Sequence, residues 1–227
     1  MSRRTPKVHH EIRAFADVDD VATAAADFVA EHARRAVAAK GAFSFAVSGG
    51  RTPCRMFAEL LSRDVPWGQT VIYQVDERVA PPGDPGRNLT NLVDALAGVA
   101  PLIEPMPVND DDLDTAAERY GELLPERLDL VHLGLGPDGH TASLVPRDPV
   151  LDVSDRLVAT TGEYQGRRRM TLTYRALARA DQLLWLVTGS DKRDALSLLL
   201  LGDASIPAGR VEAARSLIMA DQSAMRA

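Results

Sequence analysis

The sequence has little cysteine, no long apolar run and no excess of positive charge. Its 227 residues include a single cysteine, Cys54, so neither an internal disulfide nor a cysteine-based zinc cluster can form. Acidic residues outnumber Lys and Arg by 32 to 26, and the resulting net charge of −6 argues against a nucleic-acid-binding face. No apolar run approaches the roughly 18 residues of a membrane span, and residues 1–7 lead into no signal-peptide core. We therefore expect a cytoplasmic protein that binds neither nucleic acid nor membrane.

Apolar residues make up 45% of the chain, enough for a sizeable core, and we expect one domain over residues 1–227. Short apolar runs alternate with segments of helical spacing. This alternation predicts an α/β fold of three layers, Rossmann-like, with a mainly parallel sheet between helices. The predicted strands are 43–47, 71–75, 128–133, 157–161, 166–173, 182–187 and 216–220, and the clearest predicted helices are 19–39, 90–96 and 112–124.

A glycine-rich loop, G-L-G-P-D-G-H over residues 134–140, follows the apolar run 128–133. Ligands of open α/β sheets lie beyond the carboxyl ends of the strands, so this loop is expected to bring Asp138 and His140 to a ligand. Its glycines permit positive φ and close approach of the backbone. His132 lies inside the predicted strand, and we interpret it as a core histidine.

Two other predicted strands also end in polar segments. The strand 43–47 leads into S-G-G-R-T-P, residues 48–53, and then into a helix, an arrangement that can present backbone N–H groups to an anion. Thr52 is the predicted helix cap and Pro53 suits the first turn. Ala46 stands two residues before Ser48, so the G-x-S-x-G elbow of serine hydrolases is absent. Asp76-Glu77-Arg78 follows the next strand; taken alone, it would indicate a solvated turn.

Five motifs, in order, resemble the signatures of the 6-phosphogluconolactonases, which share a sugar-phosphate superfamily with glucosamine-6-phosphate deaminases. They are S-G-G-R-T-P at 48–53, D-E-R at 76–78 with Asn88 downstream, G-L-G-P-D-G-H-T-A-S-L at 134–144, R-M-T-L-T at 169–173 and G-S-D-K at 189–192. The joint match is specific, although each piece alone is weak. Two departures are minor: Val145 replaces an aromatic residue before Pro146, and the arginine run 167–169 is longer than usual.

The resemblance implies hydrolysis of 6-phospho-D-glucono-1,5-lactone to 6-phosphogluconate, in the oxidative pentose phosphate pathway, with no metal or cofactor. An imidazole, with a pKa near ~6.5, suits base catalysis at neutral pH. We assign His140 as that base, Asp138 as the group that orients it and Arg78 as the stabiliser of charge on the carbonyl oxygen. The expected substrate-binding residues are Ser48, Gly49, Gly50, Arg51, Asp76, Arg169 and Lys192.

Within this set, Arg169 and Lys192 are expected to hold the substrate phosphate. The choice among Arg167, Arg168 and Arg169 stays open, and residues 81–87 are predicted to form a flexible lid. We expect a monomer or a weak dimer whose partner is a small sugar-phosphate lactone.

Two alternatives remain at this point. The deaminases of the superfamily carry an acidic residue just before the proline and an aromatic residue in place of Arg78, whereas this chain has Leu144-Val145-Pro146. A non-catalytic sugar-phosphate sensor would keep Arg169 and Lys192 but usually carries a DNA-binding module, and no helix-turn-helix extension is visible.

Overall fold

The computed structural model describes residues 10–225, without the side chain of Arg51. The strands within that range are β1 (His10–Phe15), β2 (Phe43–Val47), β3 (Thr70–Gln74), β4 (Asp76–Arg78), β5 (Leu102–Glu104), β6 (Leu130–Gly134), β7 (Val158–Thr160), β8 (Arg169–Leu172), β9 (Leu183–Val187) and β10 (Ser216–Asp221). The α-helices are α1 (Val18–Lys40), α2 (Arg51–Leu60), α3 (Asn88–Ala95), α4 (Leu113–Leu123), α5 (Tyr174–Leu177), α6 (Arg193–Leu200) and α7 (Gln222–Met225). None of the described helices has the length and apolar character to cross a bilayer.

The strands form two sheets. Seven of them lie in the order β1-β10-β9-β6-β2-β3-β5, and every neighbouring pair is parallel. The other three, in the order β4-β8-β7, form a small antiparallel sheet. The predicted fold class is confirmed, while the extent of a single domain over 1–227 stays a prediction.

Helices cover both faces of the seven-stranded sheet. Along β2, Phe45 and Val47 pack with residues of α1, α2 and α3, whereas Ala46 belongs to the core on the side of α4, α5 and α6. All five residues of β2 are buried, as expected for a parallel strand between two helical layers. This explains why the central strands read as continuous apolar runs in the sequence.

The predicted helix ends are largely confirmed by their capping contacts. The α1 helix begins after Asp17, whose carboxylate accepts from the backbone N–H of Asp19 at 2.9 Å, and it ends at Gly41 with φ 81°. Asp112 caps α4 by accepting from the N–H groups of Asp114 and Thr115, both at 3.1 Å. The helix predicted over 112–124 therefore begins after an N-cap aspartate.

One local prediction is wrong. Thr52 is not the cap of α2, because the helix already begins at Arg51 with Gly50 at the N-cap position, and the Thr52 hydroxyl lies 2.9 Å from that of Thr188. The D-E-R triplet, which taken alone would indicate a solvated turn, forms β4 of the small sheet, where Asp76 and Glu77 are buried. Two edge strands, β1 and β5, were not predicted; both are partly exposed and β5 has only three residues, so neither contains a buried apolar run.

The order in which strands are added to the sheet switches sides between β2 and β6. From β2 the chain adds β3 and then β5 on one side, and it returns to β6 on the other side before adding β9 and β10. A crevice beyond the carboxyl ends of the strands at such a switch point is the usual ligand site of open α/β sheets.

Candidate active site

A cavity of about 170 Å³ lies beyond the ends of the central strands. Its walls come from the loops after β2, β6 and β9, from β4 and β8 of the small sheet and from the start of α3. Seven of the predicted site residues line it: Ser48, Gly49, Asp76, Arg78, His140, Arg169 and Lys192. Gly50 lines an adjoining cavity that shares Arg78 and Arg169 with the first. Asp138 lies behind His140, and the side chain of Arg51 is outside the described residues.

The loop after β6 brings His140 and Asp138 together. Its turn is closed by the N–H of Gly136, which donates to the His140 carbonyl at 2.8 Å, and Gly139 has a positive φ of 79°. The Asp138 carboxylate lies 2.5 Å from Nδ1 of His140. The closing segment of the chain supports this loop, because the N–H of Ala208 donates to the carbonyl of Gly139 at 2.9 Å.

The electrostatics of the pair select one tautomer. Burial raises the pKa of Asp138, but the hydrogen bonds and charge of His140, with a further hydrogen bond from Tyr164, outweigh burial and hold that pKa below its ordinary value. Asp138 is therefore a carboxylate at neutral pH and accepts the proton on Nδ1. Nε2 is then the ring nitrogen that can take a proton, which is the requirement for a general base.

The second histidine has a different environment. His132 is fully buried, and desolvation lowers its pKa to about 3. The Ser48 hydroxyl donates to the His132 carbonyl at 3.1 Å, and the Ser48 N–H lies 3.3 Å from Nδ1. His132 is thus a core histidine, as predicted. Because the Ser48 hydroxyl donates to a carbonyl and not to a base, it is not activated as a nucleophile.

Arg78 and Arg169 are direct neighbours across β4 and β8. Like charges in opposed positions of an antiparallel pair repel, so this arrangement favours an anion between or beside them. Only 5% of Arg169 is exposed, and its Nε has no hydrogen-bond acceptor among residues 10–225. Burial lowers the pKa of Arg169; Asp76 opposes this shift and Arg78 adds to it.

The three consecutive arginines at 167–169 have different surroundings. Arg167 pairs with Asp84 at 3.0 and 3.1 Å, and Arg168 is exposed near Thr160. Of the three, Arg169 is the one that lines the cavity. The Arg167 pair joins the loop 81–87 to the segment between β7 and β8, but whether that loop acts as a lid stays a prediction.

Asp76 and Arg78 are held by two polar side chains that were not predicted as site residues. The Ser143 hydroxyl donates to Asp76 at 2.6 Å, and the Asn88 amide donates to the same carboxylate at 3.1 Å. The amide oxygen of Asn88 accepts from Arg78. Both residues lay inside recognised motifs, which was the available signal. A Cβ on Gly49 would clash with Asn88 at 1.9 Å, so this position requires glycine.

Lys192 reaches the cavity from the turn between β9 and α6, where it pairs with Asp191 at 3.0 Å. The buried carboxylate of Asp221 fixes this turn by accepting from the N–H of Gly189 at 3.1 Å. The cluster of Arg78, Arg169 and Lys192 makes the cavity cationic although the chain as a whole is negative.

Comparison with known proteins identifies the family. The family model for glucosamine-6-phosphate isomerases/6-phosphogluconolactonase matches residues 16–219. The chain belongs to this family. A 6-phosphogluconolactonase from Mesorhizobium japonicum is 36% identical over 194 residues, which are 80% of this chain and 82% of the relative.

Two solved structures of the family's fold extend the comparison. The 6-phosphogluconolactonase of Thermotoga maritima superposes with a TM-score of 0.84 at 25% identity, over 94% of this chain and 100% of that one. A monomeric glucosamine-6-phosphate deaminase gives 0.81 at 18% identity, over 94% and 98%, and at that identity shows the fold alone. The fold therefore does not separate the two activities of the family.

The residues of the family site do separate them. Where the deaminases carry an acidic residue before the proline, this family member has the buried apolar pair Leu144 and Val145. Among the described residues lining the cavity, Asp76 is the only carboxylate, and it is occupied by Ser143 and Asn88. Within residues 10–225 no group of three His, Cys, Asp or Glu side chains could hold a metal ion.

Proposed function

We propose that this chain hydrolyses 6-phospho-D-glucono-1,5-lactone to 6-phosphogluconate, the second step of the oxidative pentose phosphate pathway. The observation that supports it most is one cavity in which His140, with Nδ1 held by Asp138, stands with three cations, Arg78, Arg169 and Lys192. A base together with bound positive charge suits water attack on the ester of an anionic substrate.

In the proposed reaction, Nε2 of His140 removes a proton from water as the oxygen attacks the lactone carbonyl. The carbonyl electrons move onto its oxygen, where Arg78 stabilises the charge; one such donor typically contributes about 10²–10³ in rate. The carbonyl then re-forms, the bond to the ring oxygen breaks, and the proton on His140 passes to that oxygen. One water is consumed and the product is a carboxylic acid, which loses its proton to solvent.

The substrate is bound by the other charged and polar groups of the cavity. Arg169 and Lys192 hold the phosphate, which carries roughly two negative charges near neutral pH. Gly49 and Gly50 offer backbone N–H groups to the sugar, with Ser48 and Arg51 beside them, and Asp76 keeps the pocket in shape through Asn88 and Ser143. The reaction as written needs neither metal nor cofactor. A cytoplasmic location and a monomeric or weakly dimeric state stay predictions.

The deciding experiment supplies fresh lactone from glucose-6-phosphate dehydrogenase and follows 6-phosphogluconate formation above the spontaneous rate. Glucosamine 6-phosphate is tested in parallel for ammonia release. We expect turnover of the lactone alone, unchanged after treatment with a chelator. Ammonia release without lactone turnover would assign the chain to the deaminases, and a large loss with the chelator would require a metal. Binding of the product without any turnover would indicate a sensor.

A further inference from the structure

Tyr164 stands at the tip of the hairpin that joins β7 to β8. Its N–H donates to the carbonyl of Arg167 at 3.0 Å, and the two residues between them, Gln165 and Gly166, have φ values of 53° and 77°. Positive φ at both central positions is the type I′ pattern of tight hairpins. Gln165 adopts it without being glycine, and its amide oxygen accepts from Arg169 at 3.2 Å. The hairpin tip is therefore fixed against the cavity wall.

The Tyr164 side chain contacts both the proposed proton-transfer pair, Asp138 and His140, and the proposed phosphate ligand, Arg169. Its hydroxyl donates to Oδ2 of Asp138 at 3.2 Å, while Oδ1 of the same carboxylate faces His140 at 2.5 Å. Its ring lies edge-on to the imidazole, with centroids 5.5 Å apart. The guanidinium carbon of Arg169 lies 4.9 Å from the centroid of the Tyr164 ring. One side chain thus contacts the proposed base, its orienting acid and the proposed phosphate ligand.

We propose that Tyr164 is a positioning residue, which orients Asp138 and His140 through its hydroxyl and Arg169 through its ring. This inference rests on the lactonase function proposed above. It gives the two parts of Tyr164 separate effects, because the hydroxyl acts on the proton-transfer pair and the ring acts on the cation that holds the phosphate.

The hydroxyl is needed because the two contacts from His140, its ring at 2.5 Å and its backbone N–H at 3.2 Å, both fall on Oδ1 of Asp138. The Asp138 side chain is 38% exposed, and a carboxylate held at one oxygen can rotate away from the imidazole. Tyr164 remains a donor across the working pH range, since burial and the negative charge of Asp138 both raise its pKa. The other charged side chains in the cavity beside His140 are Arg169, Arg78, Lys192 and Asp76. Among the described residues, the Tyr164 hydroxyl is the side-chain donor to the second oxygen of Asp138.

The ring is needed because hydrogen bonds restrain only part of the Arg169 guanidinium. Its Nε has no acceptor within residues 10–225, and its bonds to Gln165 and Ser143 are 3.2 and 3.5 Å long. A cation over an aromatic face is attracted by the negative face of the ring, and more strongly when the pair is desolvated. The Tyr164 ring therefore keeps the guanidinium in place without neutralising its charge, so that the charge stays available to a phosphate.

The test compares Tyr164→Phe, Tyr164→Leu and a matched control, Tyr174→Phe. Tyr174 also lies under an arginine, with Arg210 at 4.9 Å, and its hydroxyl also bonds to an oxygen, the Pro207 carbonyl at 2.9 Å, but it does not line the cavity. The control therefore has the same kinds of contact at a different place.

For Tyr164→Phe we expect kcat to fall about 3- to 10-fold, the size of one lost hydrogen bond, with KM within twofold of wild type. The acidic limb of the profile of kcat/KM against pH moves to lower pH, because a carboxylate that turns away from the ring stabilises the protonated imidazole less. For Tyr164→Leu, KM rises in addition by about 2- to 5-fold as the contact with Arg169 is lost. Tyr174→Phe leaves kcat, KM and the pH profile unchanged.

A second measurement does not depend on turnover. Long-range ¹H–¹⁵N NMR of the imidazole of His140 reports which ring nitrogen carries the proton. We expect the Nδ1–H form in wild type and a larger share of the Nε2–H form in Tyr164→Phe. Wild-type inactivity on the lactone would defeat the proposed function, while the NMR comparison would still judge the positioning role. A kcat, pH profile and tautomer in Tyr164→Phe that all match wild type would overturn the inference itself.

Discussion

At the scale of single residues, burial decides what a histidine can do in this chain. His132 is fully buried and its pKa falls to about 3, so it stays neutral and serves the core. His140, in the loop beyond the same strand, lines the cavity and is held by a carboxylate. The sequence separated the two by position, since one lies within an apolar run and the other follows glycines.

We expect His140→Ala to reduce the catalysed hydrolysis by about 10²–10⁴-fold while the protein stays folded, because a positioned base typically contributes that factor. The measurement is kcat in the coupled assay after subtraction of spontaneous hydrolysis, with circular dichroism as the check on folding. His32→Ala is the matched control, since His32 is half-buried on α1 and bonds only to its own helix, at the Phe28 carbonyl. Wild-type turnover in His140→Ala would remove this residue from the role of base.

His132 makes a prediction about stability and pH. The unfolded chain binds a proton at this ring below its ordinary pKa near 6.5, whereas the folded protein does so only near pH 3. Between these values the unfolded state holds more protons, so the free energy of unfolding falls as the pH is lowered, by about 1.4 kcal/mol per pH unit for one group. Urea denaturation between pH 7 and 4.5 should therefore show a shallower slope for His132→Asn than for wild type, and equal slopes would contradict the assignment.

At the scale of elements, the three glycines at and after the end of β6 have different surroundings. Gly139 has a positive φ and packs on Ile206, where a Cβ would come within 2.4 Å. Gly136 has no positive φ, but a Cβ there would lie 2.0 Å from Nδ1 of His140. Gly134 has no positive φ and a Cβ there would have nothing within 4 Å, but the residue lines the cavity. Gly139 and Gly136 show the expected positive φ or close approach, while close approach of a ligand at Gly134 stays a prediction.

The contact at Gly136 can be tested with a pair of glycine variants. Gly136→Ala should displace the imidazole and lower kcat by about 10²-fold or more, the cost of misplacing a catalytic group by about 1 Å. Gly68→Ala, where a Cβ would have nothing within 4 Å and which lies outside the lining of the cavity, should keep kcat within about threefold of wild type. Both are measured in the same assay, with thermal unfolding as a check. Equal activity in the two variants would mean that the contact between Gly136 and His140 does not control the position of the ring.

Element prediction succeeded where burial produced a clear pattern. The central strands β2, β3, β6 and β9 are buried runs and were identified within a few residues. The edge strands β1 and β5 and the short strand β4 were not recognised as strands, because a partly exposed or three-residue segment carries little periodicity.

At the scale of the whole molecule, a chain of net charge −6 concentrates three cations in one cavity. They come from β4, β8 and the turn after β9, so only the folded protein brings them together. A ligand that binds the folded state alone stabilises it, by about 2.7 kcal/mol at one hundred times its Kd. The phosphorylated product should therefore stabilise the fold.

We expect 6-phosphogluconate to raise the Tm of wild type, and gluconate, which lacks the phosphate, to have little effect at the same concentration. Lys192→Ala should weaken product binding about 10-fold or more, since a charge-assisted contact is lost. Lys40→Ala is the control, because Lys40 pairs with Asp129 at the end of α1, outside the lining of the cavity. Calorimetric titration measures Kd directly. Equal stabilisation by gluconate, or an equal Kd in Lys192→Ala, would contradict the phosphate assignment.

The sequence by itself determined the α/β class, the buried strands, the loops at their ends and the residue types those loops carry, because apolar periodicity and glycine act over a few neighbouring residues. It also pointed to His140 and Asp138 as a pair, since they lie two positions apart. Only the tertiary structure decided that Arg169, rather than Arg167 or Arg168, faces the cavity, and that Tyr164 reaches Asp138 across 26 positions of sequence. Those contacts depend on which strands become neighbours and on where a hairpin tip lands, and side-chain packing across distant segments leaves no local pattern to read.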